Sequence, residues 1–366
     1  MLQESGMNMN STALSVLRYC ENSPIAFLRN VPTSLVVYDE RTLYKCKYGC
    51  RNYNRKHSCP PESIKIRKII NENYDRWVLL YATTEKIPKN YSNYRKKLEN
   101  YVREYEIQRI SRDLNNIFND QKVAHYTLSG GSCHRCRSCS KMRGNKCIRP
   151  SIMQTSMEAV GIDCQRTMHK AGFDFQMPNI DSINRCGCIF HNVDSLRDLE
   201  YRCKQSNQRF VNPTLANTKK QCKELILSFP ELYESVSIVS VSKLPIKKRL
   251  CNNCSNRGKN YACPPYSGII DLNLWRHAII WKWRENESKT YSYNRALLRF
   301  HKKIFSLGYY LSQSLRDGPC DECTPCISND GIPSACPNRR LLAPSIQSQN
   351  IDIEEFGSGI FGIELI

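Results

Sequence analysis

Fourteen cysteines fall into two kinds of motif, and each kind occurs twice. Cys46, Cys50 and Cys59 stand in C-x3-C-x8-C-P-P; Cys251, Cys254 and Cys263 stand in C-x2-C-x8-C-P-P. Cys133, Cys136, Cys139 and Cys147 form C-x2-C-x2-C-x7-C; Cys320, Cys323, Cys326 and Cys336 form C-x2-C-x2-C-x9-C. Three closely spaced thiolates on one tight loop can reach three corners of a cubane, with the fourth arriving from farther along, which is the ferredoxin arrangement of a 4Fe–4S cluster. Structural zinc more often uses two separated cysteine pairs, so zinc is the alternative. The three-Cys motif leaves one coordination position open, to a water or substrate on zinc, or to a substrate or non-Cys ligand on a cubane. His57 and Cys164 are candidate fourth ligands, yet their counterparts in the second half are Tyr261 and Ile353. The Pro-Pro after Cys59 and Cys263 stiffens the loop and excludes helix at that cysteine.

The elements that must position these motifs also recur. After each Cys-Pro-Pro comes a strand-like run, 77–81 or 278–281, then a helical pattern. Tyr94, Leu98, Tyr101 and Tyr105 fall on one helical stripe, as do Leu297, Phe300, Ile304 and Leu307, and core packing is the expected role of both stripes. A further strand-like run leads into Gly130-Gly131-Ser132-Cys133 or Gly318-Pro319-Cys320. Upstream, 34–38 and 236–239 read as strands. The order of motifs, their spacing and a shared tail (156–163 against 345–352) indicate an internal duplication. The expected fold is α/β (α+β): two tandem small modules with cysteine-rich metal-binding loops. Residues 1–30 read as a loosely ordered extension, 31–180 as metal-binding module 1, 181–230 as a polar connector and 231–366 as metal-binding module 2. Cys186, Cys188, Cys203 and Cys222 in the connector lack counterparts, and a small zinc site is one reading of them.

The chain has 366 residues, 20 cysteines and a formal net charge of +20. Its apolar content of 40 % argues against disorder. No run approaches the roughly 18 apolar residues of a spanning helix, and the polar N-terminus does not read as a secretory signal. A cytoplasmic, reducing setting is therefore expected, with no membrane partner. There, thiols more often bind metal than form disulfides.

Lys45-Cys46-Lys47-Tyr48-Gly49-Cys50 through Cys59-Pro60-Pro61, the Gly130–Cys147 stretch and Ser156-Met157-Glu158-Ala159-Val160-Gly161-Ile162-Asp163 resemble the cysteine-rich "predicted metal-binding" proteins of anaerobic bacteria and archaea. Residues 31–180 match closely, and 231–366 match in all seven cysteines. The second tail departs, with Asn350 in place of the glycine and Gln347 in place of the acid. The resemblance implies metal binding, most simply iron–sulfur, and assigns no reaction.

The positive charge concentrates near the motifs. Residues 41–150 carry a net +16, residues 243–303 a net +11, and the remainder −7. Part of this offsets thiolate charge. The rest could face a polyanion, and tyrosines interleave with basic residues in Lys289-Thr290-Tyr291-Ser292-Tyr293-Asn294-Arg295. The sequence thus supports an iron–sulfur protein with 4Fe–4S clusters, acting in electron transfer or in reductive or sulfur chemistry with a redox partner protein. The rival is a zinc-stabilised basic module that binds RNA or DNA. No hydrolase constellation, phosphate-cradling loop or dinucleotide fingerprint is present.

Overall fold

A computed structural model describes residues 11–88, 90–177, 182–203, 213–248, 250–284, 293–320, 336 and 342–366. The chain divides into two compact units, residues 1–43 with 54–210, and residues 44–53 with 211–366. Both are α+β.

The first unit contains α1 (Ser11–Glu21), β1 (Phe27–Pro32), most of the path to α2 (Glu40–Gly49), α3 (Ile64–Asn73), β2 (Trp77–Lys86), α4 (Asn93–Asp120), β3 (His125–Ser129), β4 (Thr155–Ser156), α5 (Cys164–Lys170), β5 (Ser182–His191) and β6 (Glu200–Arg202). Its sheet has the order β4-β3-β5-β2-β1-β6. The β1–β2, β2–β5 and β5–β3 pairs are antiparallel. Successive residues of β2 alternate between two cores, as the pleat requires. Val78, Leu80 and Ala82 meet Ile66 and Ile70 of α3 and Met168 of α5. Leu79 and Tyr81 meet Val16 of α1 and Ile107, Ile110, Leu114 and Phe118 of α4. The sheet therefore lies between two helical layers. Ser92 caps α4 by accepting from the Arg95 amide, and Asp163 caps α5 through the Arg166 amide.

The second unit receives the end of α2 from Tyr44 onward, followed by α6 (Leu215–Ser228), β7 (Tyr233–Ser240), β8 (His277–Trp283), α7 (Tyr293–Ser306), β9 (Gln313–Arg316) and β10 (Ile360–Leu365). Its sheet order, β7-β8-β10-β9, repeats β1-β2-β5-β3 of the first unit. In each unit a strand, a long helix and a second strand form a crossover that leaves one gap, and the last strand of the module fills it. Residues facing each other across that gap also correspond. Tyr81 pairs with Gly187, and Trp281 with Gly362. A Cβ on Gly187 would sit 2.5 Å from the Tyr81 hydroxyl, and one on Gly362 would sit 2.1 Å from the Trp281 ring. Glycine is needed so that a large ring can lie flat across the strand.

Several expectations shift. Strand β1 lies at 27–32, while Thr33–Leu35 is a 3-10 turn and Tyr38 makes only an isolated bridge to Ile162. The supposed extension contains α1 and β1; residues 1–10 lie outside the described part. The supposed connector contains β5, a central strand, and α6. Its polar residues misled because six of the ten residues of β5 are Ser, Asn, Arg, Cys or His, with partners such as Asn30 for His191 and the Gln176 carbonyl for Asn184. The Tyr94–Tyr105 stripe is exposed, and the core face of α4 is the later set from Ile107 to Phe118. On α7, by contrast, Leu297, Phe300 and Ile304 are buried as expected, and Leu307 packs at the edge of that core.

Candidate metal centre

In the first unit the loop carrying Cys59 lies against the loop carrying Cys133. Lys56 Nζ donates to the Cys133 carbonyl (2.6 Å) and to Ser132 Oγ (3.1 Å), and the Cys133 amide donates to Ser58 Oγ (3.4 Å). Glu62, just past Pro61, pairs with Lys141 at 2.8 Å and so joins the same two loops again. In the second unit one side chain bonds both the amide and the carbonyl of Cys320. Asn260 Nδ2 donates to the Cys320 carbonyl (2.6 Å), and its Oδ1 accepts from the Cys320 amide (3.1 Å).

The backbone around each Cys-Pro-Pro is the same. The Cys59 amide donates to Lys56 O and the Cys263 amide to Asn260 O, at 3.1 and 3.0 Å. Asn54 N to Pro60 O and Gly258 N to Pro264 O are both 2.8 Å. Both Pro-Pro bonds are cis. The shared tail also keeps its bonds. The Met157 amide donates to Ser129 O and the Ile346 amide to Arg316 O. The Ala159 and Ser348 amides donate to the hydroxyls of Ser156 and Ser345. Asn350 departs from glycine in sequence, yet its φ of 62° lies in the same left-handed region as Gly161 at 89°. Asparagine tolerates that region better than other side chains, so the turn survives the substitution.

Cys59, Cys263 and Cys336 are buried, and Cys133, Cys136, Cys139, Cys147, Cys251, Cys254 and Cys320 are half-buried. Cys323 and Cys326 lie outside the described residues. Burial first, and then the thiolates of Cys251 and Cys254, push the Cys263 thiol up to about 11, against the opposing pull of Ser345 and Arg316. Burial and Cys254 likewise raise Cys251. Thiols that burial and neighbouring cysteines make costly to charge, Cys251 and Cys263, without a disulfide among the described cysteines, suit a thiophilic cation that would hold them as thiolates. In chemical type, the donor set fits a metal.

Convergence is a separate matter. Among the described residues, no three of His, Cys, Asp and Glu come together as a group that could hold a metal ion. Cys46 and Cys50 belong to the α2 segment of the second unit, whereas Cys59 belongs to the first. His57 has both ring nitrogens engaged, with Glu62 (2.8 Å) and the Asn145 carbonyl (3.0 Å), and is placed as a loop brace rather than a ligand. Cys164 is fully buried beside Cys186 in the core, away from the fourth-ligand role. Cys186 and Cys188 share that core, Cys222 lies in the α6–α7 core of the second unit, and Cys203 directly follows β6. These four divide between two cores and an edge, which does not make a zinc site. The Lys289–Arg295 run lies largely outside the described residues.

Sequence reasoning missed the clamps. The available signal was a polar residue three positions before Cys59 and Cys263, Lys56 and Asn260, which differ enough in type to look unrelated. It also missed a buried cluster in the second unit. Glu364, on β10, pairs with His301 Nδ1 at 2.7 Å and accepts from Ser314 Oγ. His301 Nε2 lies 3.2 Å from Lys45 Nζ, which also donates to the Ser312 carbonyl at 2.9 Å. Burial pushes the Lys45 ammonium down to about 8, with Glu364 opposing.

Fold and loops together define a cysteine-rich α+β protein whose paired thiol loops suit metal binding. The model of a family described as a predicted metal-binding protein (DUF2284) matches residues 29–191 and again 235–359, consistent with a tandem duplication, and the chain belongs to that family. No curated protein and no solved structure matches it. Among the described residues, no helix is long and apolar enough to cross a membrane.

Proposed function

We propose that each module binds a 4Fe–4S cluster through its four-Cys motif and a second metal through its three-Cys motif, leaving one position open. The chain would then serve electron transfer, or reductive or sulfur chemistry at the open position, with a redox partner protein. One observation carries this reading. In both units the first cysteine of the four-Cys motif has its amide and its carbonyl tied to the Cys-Pro-Pro loop, by different side chains. Such clamping keeps the Cys59 loop beside Cys133 and the Cys263 loop beside Cys320. A 4Fe–4S cluster supplies reversible one-electron storage. Around it, Lys56 brings positive charge to Cys133, and Arg316, 2 % exposed, brings it to the neighbourhood of Cys263. Cations there favour the more reduced, more negative state. Chain purified without oxygen should be brown, absorb near about 400 nm and contain iron and acid-labile sulfide in comparable amounts. Stoichiometric zinc with no sulfide would remove this reading.

A second reading, a zinc-stabilised module for RNA or DNA, draws on α4. There Tyr94, Tyr101 and Tyr105 are exposed among Arg95, Lys96 and Lys97. Such faces can stack bases. Binding of a single-stranded oligonucleotide should weaken steeply as salt rises; absence of binding at low salt counts against it.

A further inference from the structure

The two four-Cys loops match in pattern and differ in charge. Residues 133–147 of the first unit hold Arg135, Arg137, Lys141, Arg143 and Lys146 and no Asp or Glu. Residues 320–336 of the second hold Asp321, Glu322 and Asp330 and no Lys or Arg. Four thiolates around Zn²⁺ or around a 4Fe–4S core carry about −2 in all. The cations of the first loop exceed that by about three, whichever metal is bound.

The fold of the first loop turns these charges outward. Ser140–Arg143 forms a 3-10 turn that ends at Gly144, with φ of 73°. The Gly144 amide donates to Lys141 O (2.9 Å), the Asn145 amide to Ser140 O (3.2 Å) and Ser140 Oγ to the Lys146 carbonyl (2.7 Å). Lys141 with Glu62, and the Asn145 carbonyl with His57, tie the turn to the Cys59 loop. The backbone is thus held from within, while Arg137, Arg143, Lys146 and Arg149 stay exposed. Among the described residues none of these four pairs with a carboxylate; Arg149 donates only to the Arg135 carbonyl. Met142, Ile148 and Ile152 are exposed in the same stretch, and Lys146 and Ile148 flank Cys147.

A braced surface of unpaired cations and aliphatic side chains is pre-organised for an anionic partner. Residues 133–152 contain no Phe, Trp or Tyr, so a nucleic acid would find no ring there on which to stack its bases. Met and Arg are enriched at protein interfaces. A second copy would bring the acidic 320–336 loop, but also a net charge of +20, which repels. The chemistry favours an acidic protein of another kind.

We propose that Arg137, Arg143, Lys146 and Arg149, with Met142 and Ile148, form the docking face for an acidic electron-carrier protein, which meets the chain beside Cys147. That the partner carries electrons rests on the iron–sulfur reading above; that it is acidic rests on the loop alone.

Calorimetry on the whole chain, purified without oxygen, tests this with flavodoxin and a plant-type ferredoxin, both acidic carriers, and with cytochrome c, a basic one. Saturable binding of at least one acidic carrier at low salt, falling as salt rises, and no binding of cytochrome c are expected. Arg143→Glu combined with Lys146→Glu should weaken the binding about tenfold or more while metal and sulfide per chain stay the same. Arg143→Lys combined with Lys146→Arg should retain it. Lys219→Glu combined with Lys220→Glu, the same charge change at exposed positions of α6, should have little effect. Binding of neither acidic carrier, equal loss from the α6 pair, or loss of metal in step with binding would overturn the proposal. So would the same dependence on Arg143 and Lys146 found instead for a single-stranded oligonucleotide, for phosphatidylserine vesicles or for self-association. Zinc without sulfide removes the iron–sulfur reading, whereas absent carrier binding by a brown, sulfide-containing chain overturns the docking face alone.

Discussion

The two units share a backbone plan and differ in the side chains that carry it out. Where the first uses Lys56 and Ser58 to hold Cys133, the second uses both ends of the Asn260 amide to hold Cys320. Where the first lays Tyr81 across Gly187, the second lays Trp281 across Gly362. Gly161 and Asn350 make the same left-handed turn. What is kept is the set of main-chain bonds that orient the cysteine loops; what varies is the atom that supplies each bond. Selection for loop position, rather than for particular residues beside the thiols, accounts for that pattern. The cavities of the two units vary more: one lies beside a buried carboxylate and the other is lined by two arginines.

The largest expected effect tests whether the modules load metal separately. Cys133→Ser and Cys320→Ser should each remove one of the two four-Cys clusters, since each takes one ligand from one module and thiolate ligation is tightly linked to the folded loop. Metal and sulfide per chain measure this. Complete loss from either variant would mean that the two modules share their metal, and the comparison as drawn would fail.

Next come the glycines under the rings. Gly362→Ala should destabilise the second unit by about 3 kcal/mol, at the upper end for overpacking, because its Cβ would meet the body of the Trp281 ring. Gly187→Ala should cost less, as the first contact is the Tyr81 hydroxyl end. Urea unfolding followed by tryptophan fluorescence reads mainly the second unit, which contains Trp275, Trp281 and Trp283 against Trp77 in the first. Equal and small effects would show that the close approach carries no load.

The clamps give a smaller contrast. Asn260→Ala removes two hydrogen bonds to Cys320 and should cost about 2 kcal/mol, whereas Ser58→Ala removes one bond to Cys133 and should cost about 1 kcal/mol. If the Ser58 variant proves the more damaging, Lys56 does not share the clamp as described.

Much of this plan could be read from the sequence where spacing alone carries it. The strands at 77–81 and 278–281 and the α7 stripe fell where the structure has them. The failures have a common cause. Sequence pattern registers that a residue is apolar, not which layer is there to bury it. Tyr94, Leu98, Tyr101 and Tyr105 satisfy helical periodicity, but they stay exposed, Tyr101 and Tyr105 lying against the His134 ring, and the core face of α4 starts at Ile107. Strand β5 failed in reverse. Its polar residues suggested a linker, yet it occupies the gap in the crossover, where Asn184 and His191 are buried and bonded. The clamps at Lys56 and Asn260 were invisible because two unlike side chains do one job.

The final contrast is one of acid sensitivity, and Glu364 sets it. Burial alone would raise this carboxyl, but the His301 ring beside it, together with the Ser314 hydroxyl, outweighs burial and holds it below the ordinary glutamate value of 4.5. In the unfolded chain the group titrates at that ordinary value. Its contribution to stability is therefore complete above about pH 4.5 and is lost as pH falls through the lower, folded-state value. The first unit has Ile189 at this position and has nothing there to lose. Tryptophan fluorescence during acid titration should consequently show the second unit weakening in that window. Glu364→Gln should flatten the dependence while lowering stability at neutral pH, since His301 and Ser314 then face an amide instead of a carboxylate. An acid transition that stays the same in the Glu364→Gln chain would mean that the buried pair is not what distinguishes the second unit at low pH.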